Sequence, residues 1–286
     1  MASASSLPES ARGACVLWCV PDEASTVRYV GEAAMSVTNE ALHDRFLDLA
    51  DLPVEGSVVD LGCGAGPALA AFARRHPEAQ LIGFDRAVES LAKARDRLRK
   101  HGGCVKLTSA DLREKLPLED ASVDAVVSSN LLECLPEPAL LLREVHRVLR
   151  PGGRMVLSHS DFDSLVVSGA PVELDRKILH AFADDAPPWM DSSDGRMGRK
   201  LPGLVDASPL ARTHVETLVT HSTELAGHAA RRIGDVRGAL RSTALRGSGR
   251  VDTVEVEEWY EAVQQAAADG RFFFAETAVV VAARRP

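Results

Sequence analysis

The sequence predicts an α/β fold built on a parallel sheet, and three observations carry that prediction. Between Gly56 and His159, short apolar runs alternate with amphipathic stretches of helical period. A helical stretch separates successive runs, so the strands connect by crossovers and lie parallel. The chain has 286 residues, 45% apolar and 26% charged, enough for a sizeable core under an ordinary surface.

The elements follow in order along the chain. Residues 1–12 are small and polar and read as a disordered tail. Residues 13–55 read as an N-terminal cap. Its clean period begins at a helix capped by Ser36 or Thr38, with Leu42, Phe46 and Leu49 on one face. Residues 56–160 form the core, with strands at 57–61, 80–84, 104–108, 123–128 and 154–158. Helices near 67–75, 87–101 and 137–149 lie between them. Arg150-Pro151-Gly152-Gly153 stops the last helix and turns into the fifth strand. Residues 161–250 read as an insertion and a sixth strand. A helix near 171–184 carries Leu174, Ile178 and Phe182, and a glycine-rich connection runs from Pro187 through Gly203. A strand at 213–220 and an Arg-rich helical segment follow. In residues 251–286, Asp252 and Glu255 cap a helix over 254–268, whose inner face is Val256, Tyr260, Val263 and Ala267. The last strand is 272–282.

Composition narrows the function. Lys and Arg number 33 against 41 Asp and Glu, a formal charge of −8, which argues against a nucleic-acid-binding surface. No apolar run approaches the roughly 20 residues of a membrane helix. Ala14–Val20 is short and lacks a Lys-rich leader, so a signal peptide is not expected. The five cysteines (15, 19, 63, 104 and 134) are scattered and odd in number, which suits reduced thiols in the cytoplasm. Cys15 and Cys19 have no matching Cys/His pair, so no metal is expected.

The most informative segment is Val58-Val59-Asp60-Leu61-Gly62-Cys63-Gly64-Ala65-Gly66. A strand runs into a glycine-rich turn, and a helix opens after it. Such glycines let a ligand approach the main chain closely. A dinucleotide fingerprint needs G-x-G-x-x-G, but here the third glycine comes one residue early and the dinucleotide position holds Pro67. The G-K-[ST] of a phosphate-binding loop is absent. Asp85 ends the second strand, placed to accept from both hydroxyls of a ribose. Asp111 follows the third strand, where it could accept from an adenine amino group. Asp60 ends the first strand, where a cationic ammonium would be welcome. These residues point to an adenosine bearing an amino-acid-like cation and no phosphate.

In order and spacing, the chain resembles the class I S-adenosylmethionine-dependent methyltransferases. The resemblance rests on the glycine loop, Asp85, Ala110-Asp111-Leu112, the stretch Val126 to Glu133, and Leu149-Arg150-Pro151-Gly152-Gly153. It covers about residues 36–160, and the terminal strand adds to it. It implies a Rossmann-like seven-stranded sheet with helices on both faces and the last strand antiparallel. It also implies S-adenosylmethionine as cofactor, S-adenosylhomocysteine as product, and a cofactor lying across the carboxyl ends of the first strands. Carried over by position, Gly62, Cys63, Gly64 and Gly66 line the methionine and ribose. Asp85 and Arg86 flank ribose and adenine, and Ala110, Asp111 and Leu112 surround the adenine. Asn130 and Leu131 sit near the sulfonium, and Tyr29 closes over the cofactor. The nearest-looking group includes the ubiquinone/menaquinone C-methyltransferases, whose acceptor pattern is not visible here.

On the acceptor side, the fifth strand ends in Leu157-Ser158-His159-Ser160-Asp161-Phe162-Asp163. A His flanked by acids suits a general base for an oxygen or nitrogen acceptor, with His159 and Asp161 as the catalytic candidates. The other reading is a packed strand residue beside helix-capping acids. Trp189 and Arg196 could grip an aromatic or carboxylated acceptor, and His221 is a further candidate. The series Arg231, Arg232, Arg237 and Arg241 reads as a solvated helix face. The expected activity is methylation of a small molecule at O or N rather than C. Two alternatives stay open: transfer or cyclisation of the cofactor's aminobutyryl arm with release of methylthioadenosine, and a non-catalytic cofactor-binding protein acting through partners. A homodimer also stays open.

Overall fold

The computed structural model describes residues 37–101, 105–186, 193–247 and 249–286. Cys15, Cys19, Tyr29, Cys104 and Trp189 lie outside the described residues, as do the expected tail and the cap before residue 37.

The described chain opens on α1 (Val37–Ala50), which leads into β1 (Ser57–Leu61) and α2 (Pro67–Arg75). Then come β2 (Gln80–Asp85), α3 (Val88–Leu98), β3 (Val105–Ser109) and β4 (Val123–Ser129). A 3₁₀ turn at Leu132–Cys134 precedes α4 (Pro138–Val148) and β5 (Leu149–Ser168). The remainder is α5 (Val172–Asp184), α6 (Met197–Asp206), β6 (Ala211–Ser222), α7 (Gly227–Leu245), α8 (Thr253–Ala268) and β7 (Phe273–Arg284).

Seven strands make one sheet in the order β3-β2-β1-β4-β5-β7-β6. The first five pair in parallel, as crossover helices require. β7 runs antiparallel to both neighbours, β5 and β6, so the last strand is inserted inside the sheet and β6 forms the edge. Helices cover both faces. On one, Leu142 and Val145 of α4 and Leu201 and Val205 of α6 pack on Val126, Met155 and Val281. On the other, Phe46 of α1, Phe72 of α2 and Leu91 of α3 pack on Val58, Val127 and Val156. The order reverses direction at β1, whose neighbours are β2 and β4. That switch point opens a crevice at the carboxyl ends of the strands.

Three features differ from the sequence reading. The fifth strand, expected at 154–158, runs from Leu149 to Ser168, with an irregularity between Asp161 and Val166. Its outer part pairs Val166, Val167 and Ser168 with Ala275, Phe274 and Phe273 of β7. The glycine-rich connection through Gly203 is partly helix, α6, with Pro202 inside it. Gly198 makes this possible: a Cβ there would lie 2.9 Å from the His159 carbonyl oxygen, so only glycine lets α6 rest on β5. The arginine series is not uniformly a solvated face, because Arg232 is only 4% exposed.

That arginine belongs to a third apolar cluster. Helices α5, α7 and α8 cover the outer parts of β5 and β7 through Phe162, Ile178, Phe182, Val236, Trp259 and Phe274. Trp259 Nε1 donates to Asp175 at 2.9 Å, satisfying a buried indole. The capping box at the start of α8 forms as the sequence suggests: Asp252 accepts from the Glu255 N–H, and the Glu255 side chain accepts from the Asp252 N–H.

Candidate active site

The glycine loop stands at the switch point. Gly62, Gly64 and Gly66 all have positive φ (71°, 51° and 71°), where a Cβ is strained. The Gly62 and Cys63 N–H groups both donate to the Phe84 carbonyl, at 2.8 and 3.0 Å, tying the loop to the end of β2. Leu131 crowds Gly62, and Ala94 of α3 crowds Gly66; a Cβ at either would sit 3.1 Å from that side chain. Arg97 donates to the Ala65 carbonyl at 3.0 Å and pins the loop to α3.

Two carboxyls underlie the loop. Asp85 accepts from Gly64 N–H through one oxygen and from Ala87 N–H through the other, each at 2.8 Å. Burial raises its pKa, and those two N–H groups oppose the rise. Asp60 is 4% exposed, and burial followed by the charge of Asp85 pushes its carboxyl well up. Two acids held above their ordinary range beneath a polar loop make a site that a cation relieves. The Cys63 side chain is buried, and a Cβ on Gly83 would lie 2.9 Å from its Sγ, so it packs against β2. Burial pushes its thiol up as well, leaving no thiolate for nucleophilic work.

The other cofactor candidates gather round this end of the sheet. The Ala110 N–H donates to the Asp85 carbonyl at 3.1 Å, and Leu112 is buried in the core. Asp111 is exposed and holds Arg113 through both oxygens. That pairing lowers its pKa to about 2, so the adenine contact expected of it competes with a cation already present. Arg86 is exposed beside it. Asn130 takes a left-handed backbone (φ 51°) at the end of β4. Its N–H donates to the Ser158 carbonyl at 3.0 Å and its Oδ1 accepts from Ser160 N–H at 2.9 Å, so it fastens β4 to β5 at His159.

The acceptor side departs from the sequence reading. The acids expected to flank His159 serve arginines. Asp161 receives Arg199 through both oxygens, at 2.5 and 2.7 Å. Asp163 receives Arg196 and Arg199. Arg196 also pairs with Asp184 at 2.7 Å, so it staples α6 to β5 and α5 where the sequence suggested an acceptor grip. His221 is exposed on the edge strand, in register with Ala275 and hence Val166. That level is four residues, roughly 13 Å, along β7 from Val279, the partner of His159. It lies on the sheet edge, two strands from β5.

His159 itself is fully buried. Its Nδ1 donates to the Ser160 carbonyl at 2.7 Å, and Glu133 Oε1 lies 3.6 Å from Nε2. Sequence reasoning quoted Glu133 within a motif but gave it no role. It also missed the charge cluster of the third layer. Glu276 accepts from Arg232 at 2.6 and 3.0 Å and pairs with His228 at 2.6 Å, and Arg232 stacks over Phe162 at 4.8 Å. The signal was weak because Arg232 and Glu276 stand 44 residues apart.

A model of the methyltransferase domain matches residues 59–157. An uncharacterized 37.1 kDa protein in transposon Tn4556 of Streptomyces fradiae is 32% identical over 269 residues, which is 93% of this chain and 72% of that one. The chain belongs to the class I S-adenosylmethionine-dependent methyltransferases. A trans-aconitate 2-methyltransferase of Azoarcus sp. is 39% identical over 111 residues, 38% of this methyltransferase. That match spans 42% of the relative's own length. In fold, the methyltransferase resembles a geranyl diphosphate methyltransferase solved in complex with SAM, with a TM-score of 0.52, 19% identity and 94% of each chain covered.

The residues present suit that cofactor. The loop offers backbone N–H groups and buried carboxyls where a phosphate site would offer Lys or Arg. Such a donor set fits a nucleoside with hydroxyls and a cationic arm. Among the described residues no group of His, Cys, Asp and Glu is arranged to hold a metal, and no helix is long and apolar enough to cross a membrane.

Proposed function

We propose that this methyltransferase moves the methyl group of S-adenosylmethionine to an O or N atom of a small-molecule acceptor. The observation that carries this reading is the left-handed glycine loop over two raised carboxyls at the switch point. The bound cofactor supplies an activated sulfonium methyl. The chain's own residues position it, exclude water and receive a proton. Asp85 orients the ribose with the lone pairs its backbone contacts leave free, and Asp60 faces the ammonium. Asn130 and Leu131 fix the end of β4 at the methyl group, and the cap of α5, α7 and α8 encloses the acceptor. Relatives named trans-aconitate 2-methyltransferase favour a small polar acceptor.

The test incubates the protein with methyl-labelled S-adenosylmethionine and a small-molecule extract, read by mass spectrometry. Label in a new product together with S-adenosylhomocysteine supports the proposal, and the product mass identifies the acceptor. Methylthioadenosine without methyl transfer overturns it in favour of aminobutyryl chemistry.

A further inference from the structure

The ring of His159 is held in a way that packing alone does not require. A backbone carbonyl can only accept, so the 2.7 Å contact to Ser160 O places a proton on Nδ1. The neutral ring therefore carries its lone pair on Nε2. That nitrogen is buried and makes no hydrogen bond among the described residues. Native proteins seldom leave such atoms unsatisfied, and reactive centres are where the exceptions gather. Glu133 Oε1 stands 3.6 Å away, beyond hydrogen-bond reach but close enough to feel a charge on the ring. Both side chains are nearly sealed, with exposures of 1% for His159 and 5% for Glu133. A purely structural pair would gain by closing to bonding distance.

Among the described residues, three charged groups face this imidazole from the elements packed on it. Glu133 comes from the 3₁₀ turn after β4, Asp194 from the segment before α6, and Arg232 from α7. Asp161, two residues along the same strand, is already matched by Arg199. Burial works against a charge on the ring. The attraction of Glu133, then the Ser160 carbonyl, outweigh it despite Arg232, and the net result lies above the ordinary histidine value.

We propose that Glu133 is a positioning residue for His159, whose Nε2 takes the acceptor's proton as the methyl group arrives. The inference rests on the methyl-transfer reading above and gives its acceptor a chemical class: a molecule with a dissociable proton on O or N. In the step, the X–H proton passes to Nε2 and the X–H electron pair becomes the new bond from X to the methyl carbon. The carbon–sulfur bond breaks with its pair remaining on sulfur. The products are X–CH3, neutral S-adenosylhomocysteine and an imidazolium whose charge Glu133 offsets.

The test uses the full chain and Glu133→Gln. With labelled cofactor and the extract as acceptor source, the acidic limb of the rate profile should move down by a pH unit or more. Plateau turnover should fall at least tenfold, while the dissociation constant for S-adenosylmethionine stays within twofold. Glu133→Asp should recover part of the limb, and it serves if Glu133→Gln does not fold. Independently of turnover, 15N NMR of the His159 ring, assigned with His159→Gln, should show its titration moving to lower pH in Glu133→Gln. An unmoved limb or an unmoved ring titration overturns the pairing. If the parent forms no S-adenosylhomocysteine, the methyl-transfer reading and the proton-accepting role fail together, whereas the ring titration still decides the Glu133–His159 coupling.

Discussion

Replacing Glu276 with Gln isolates the electrostatics of the third layer. Glu276 is 3% exposed and Arg232 4%. The two share a forked contact at 2.6 and 3.0 Å, with His228 also on the carboxylate. Removing one partner of a buried pair costs about 3–5 kcal/mol, because the remaining charge is stranded. Gln keeps one acceptor oxygen, and Asp235 stands 3.4 Å from Arg232, so the cost should fall near the lower end, about 3 kcal/mol. At about 2–4 °C per kcal/mol for chains of comparable size, the melting temperature should drop by roughly 6–12 °C. Urea unfolding followed by circular dichroism measures the difference. The double variant Arg232→Met/Glu276→Leu should recover part of the loss, since the two opposite charges leave together while Asp235 and His228 each lose a contact. A Glu276→Gln loss below about 0.5 kcal/mol, or a double variant no better than the single one, refutes the stranded-charge reasoning. The pH dependence has a definite sign. Burial opposes ionisation of Glu276, but Arg232 and His228 outweigh it and hold the carboxyl far below its ordinary value. Its stabilisation is therefore fully present above the unfolded value, about 4.3, and is lost as pH falls toward the depressed folded value. The gap between parent and Glu276→Gln should close in acid.

Asp85→Ala should weaken S-adenosylmethionine binding more than tenfold, since the ribose loses a charged acceptor and Gly64 N–H loses its own. Unchanged affinity by calorimetry would remove Asp85 from the site. Binding should release protons, because Asp60, raised by burial and by the charge of Asp85 in the free chain, ionises against the cofactor's cation. Apparent binding enthalpies that do not vary with the ionisation enthalpy of the buffer would contradict this. Asp252→Ala should cost about 1 kcal/mol through loss of the α8 capping box, with cofactor affinity unchanged. A melting curve coincident with the parent would show that α8 is held by packing alone.

The cofactor half of the fold was legible because its signals are local. Strand, turn and helix around Gly62–Gly66 follow within twenty residues, and α2 begins and ends where the helical period places it. The outer part of β5 was not legible, because His159-Ser160-Asp161-Phe162-Asp163-Ser164 has no strand pattern of its own. It is extended because Phe273–Thr277, more than a hundred residues later, pairs with it. Pro202 and the flanking glycines likewise spoke against α6, and Gly198 turns out to be the close-packing residue that seats it. The role of Glu133 was hidden by its motif, where an acid within an apolar turn reads as a surface residue.

This division between halves has a physical origin that bears on acceptor choice. The cofactor crevice is shaped by backbone: positive-φ glycines, N–H groups at a strand end, and a carboxylate two bonds from the main chain. Backbone shape is set by neighbours in sequence, so many chains with different caps can retain it. The third layer is shaped by side chains that β5 and β7 carry into one cluster, where Phe162, Arg232 and Glu276 meet across long sequence separations. Its buried ions tolerate few lone changes, because each stranded charge costs several kcal/mol. Coordinated replacement of the Arg232–Glu276 pair costs less than either lone change, since the two opposite charges leave together, although Asp235 and His228 each lose a contact. Arg232 also opposes the charge on His159, so its removal as part of that double variant should raise the ring's titration further. The same double variant should therefore shift the pH at which His159 titrates, and NMR of the ring would register that shift. A ring titration left where it was would show that Arg232 and His159 are electrostatically independent.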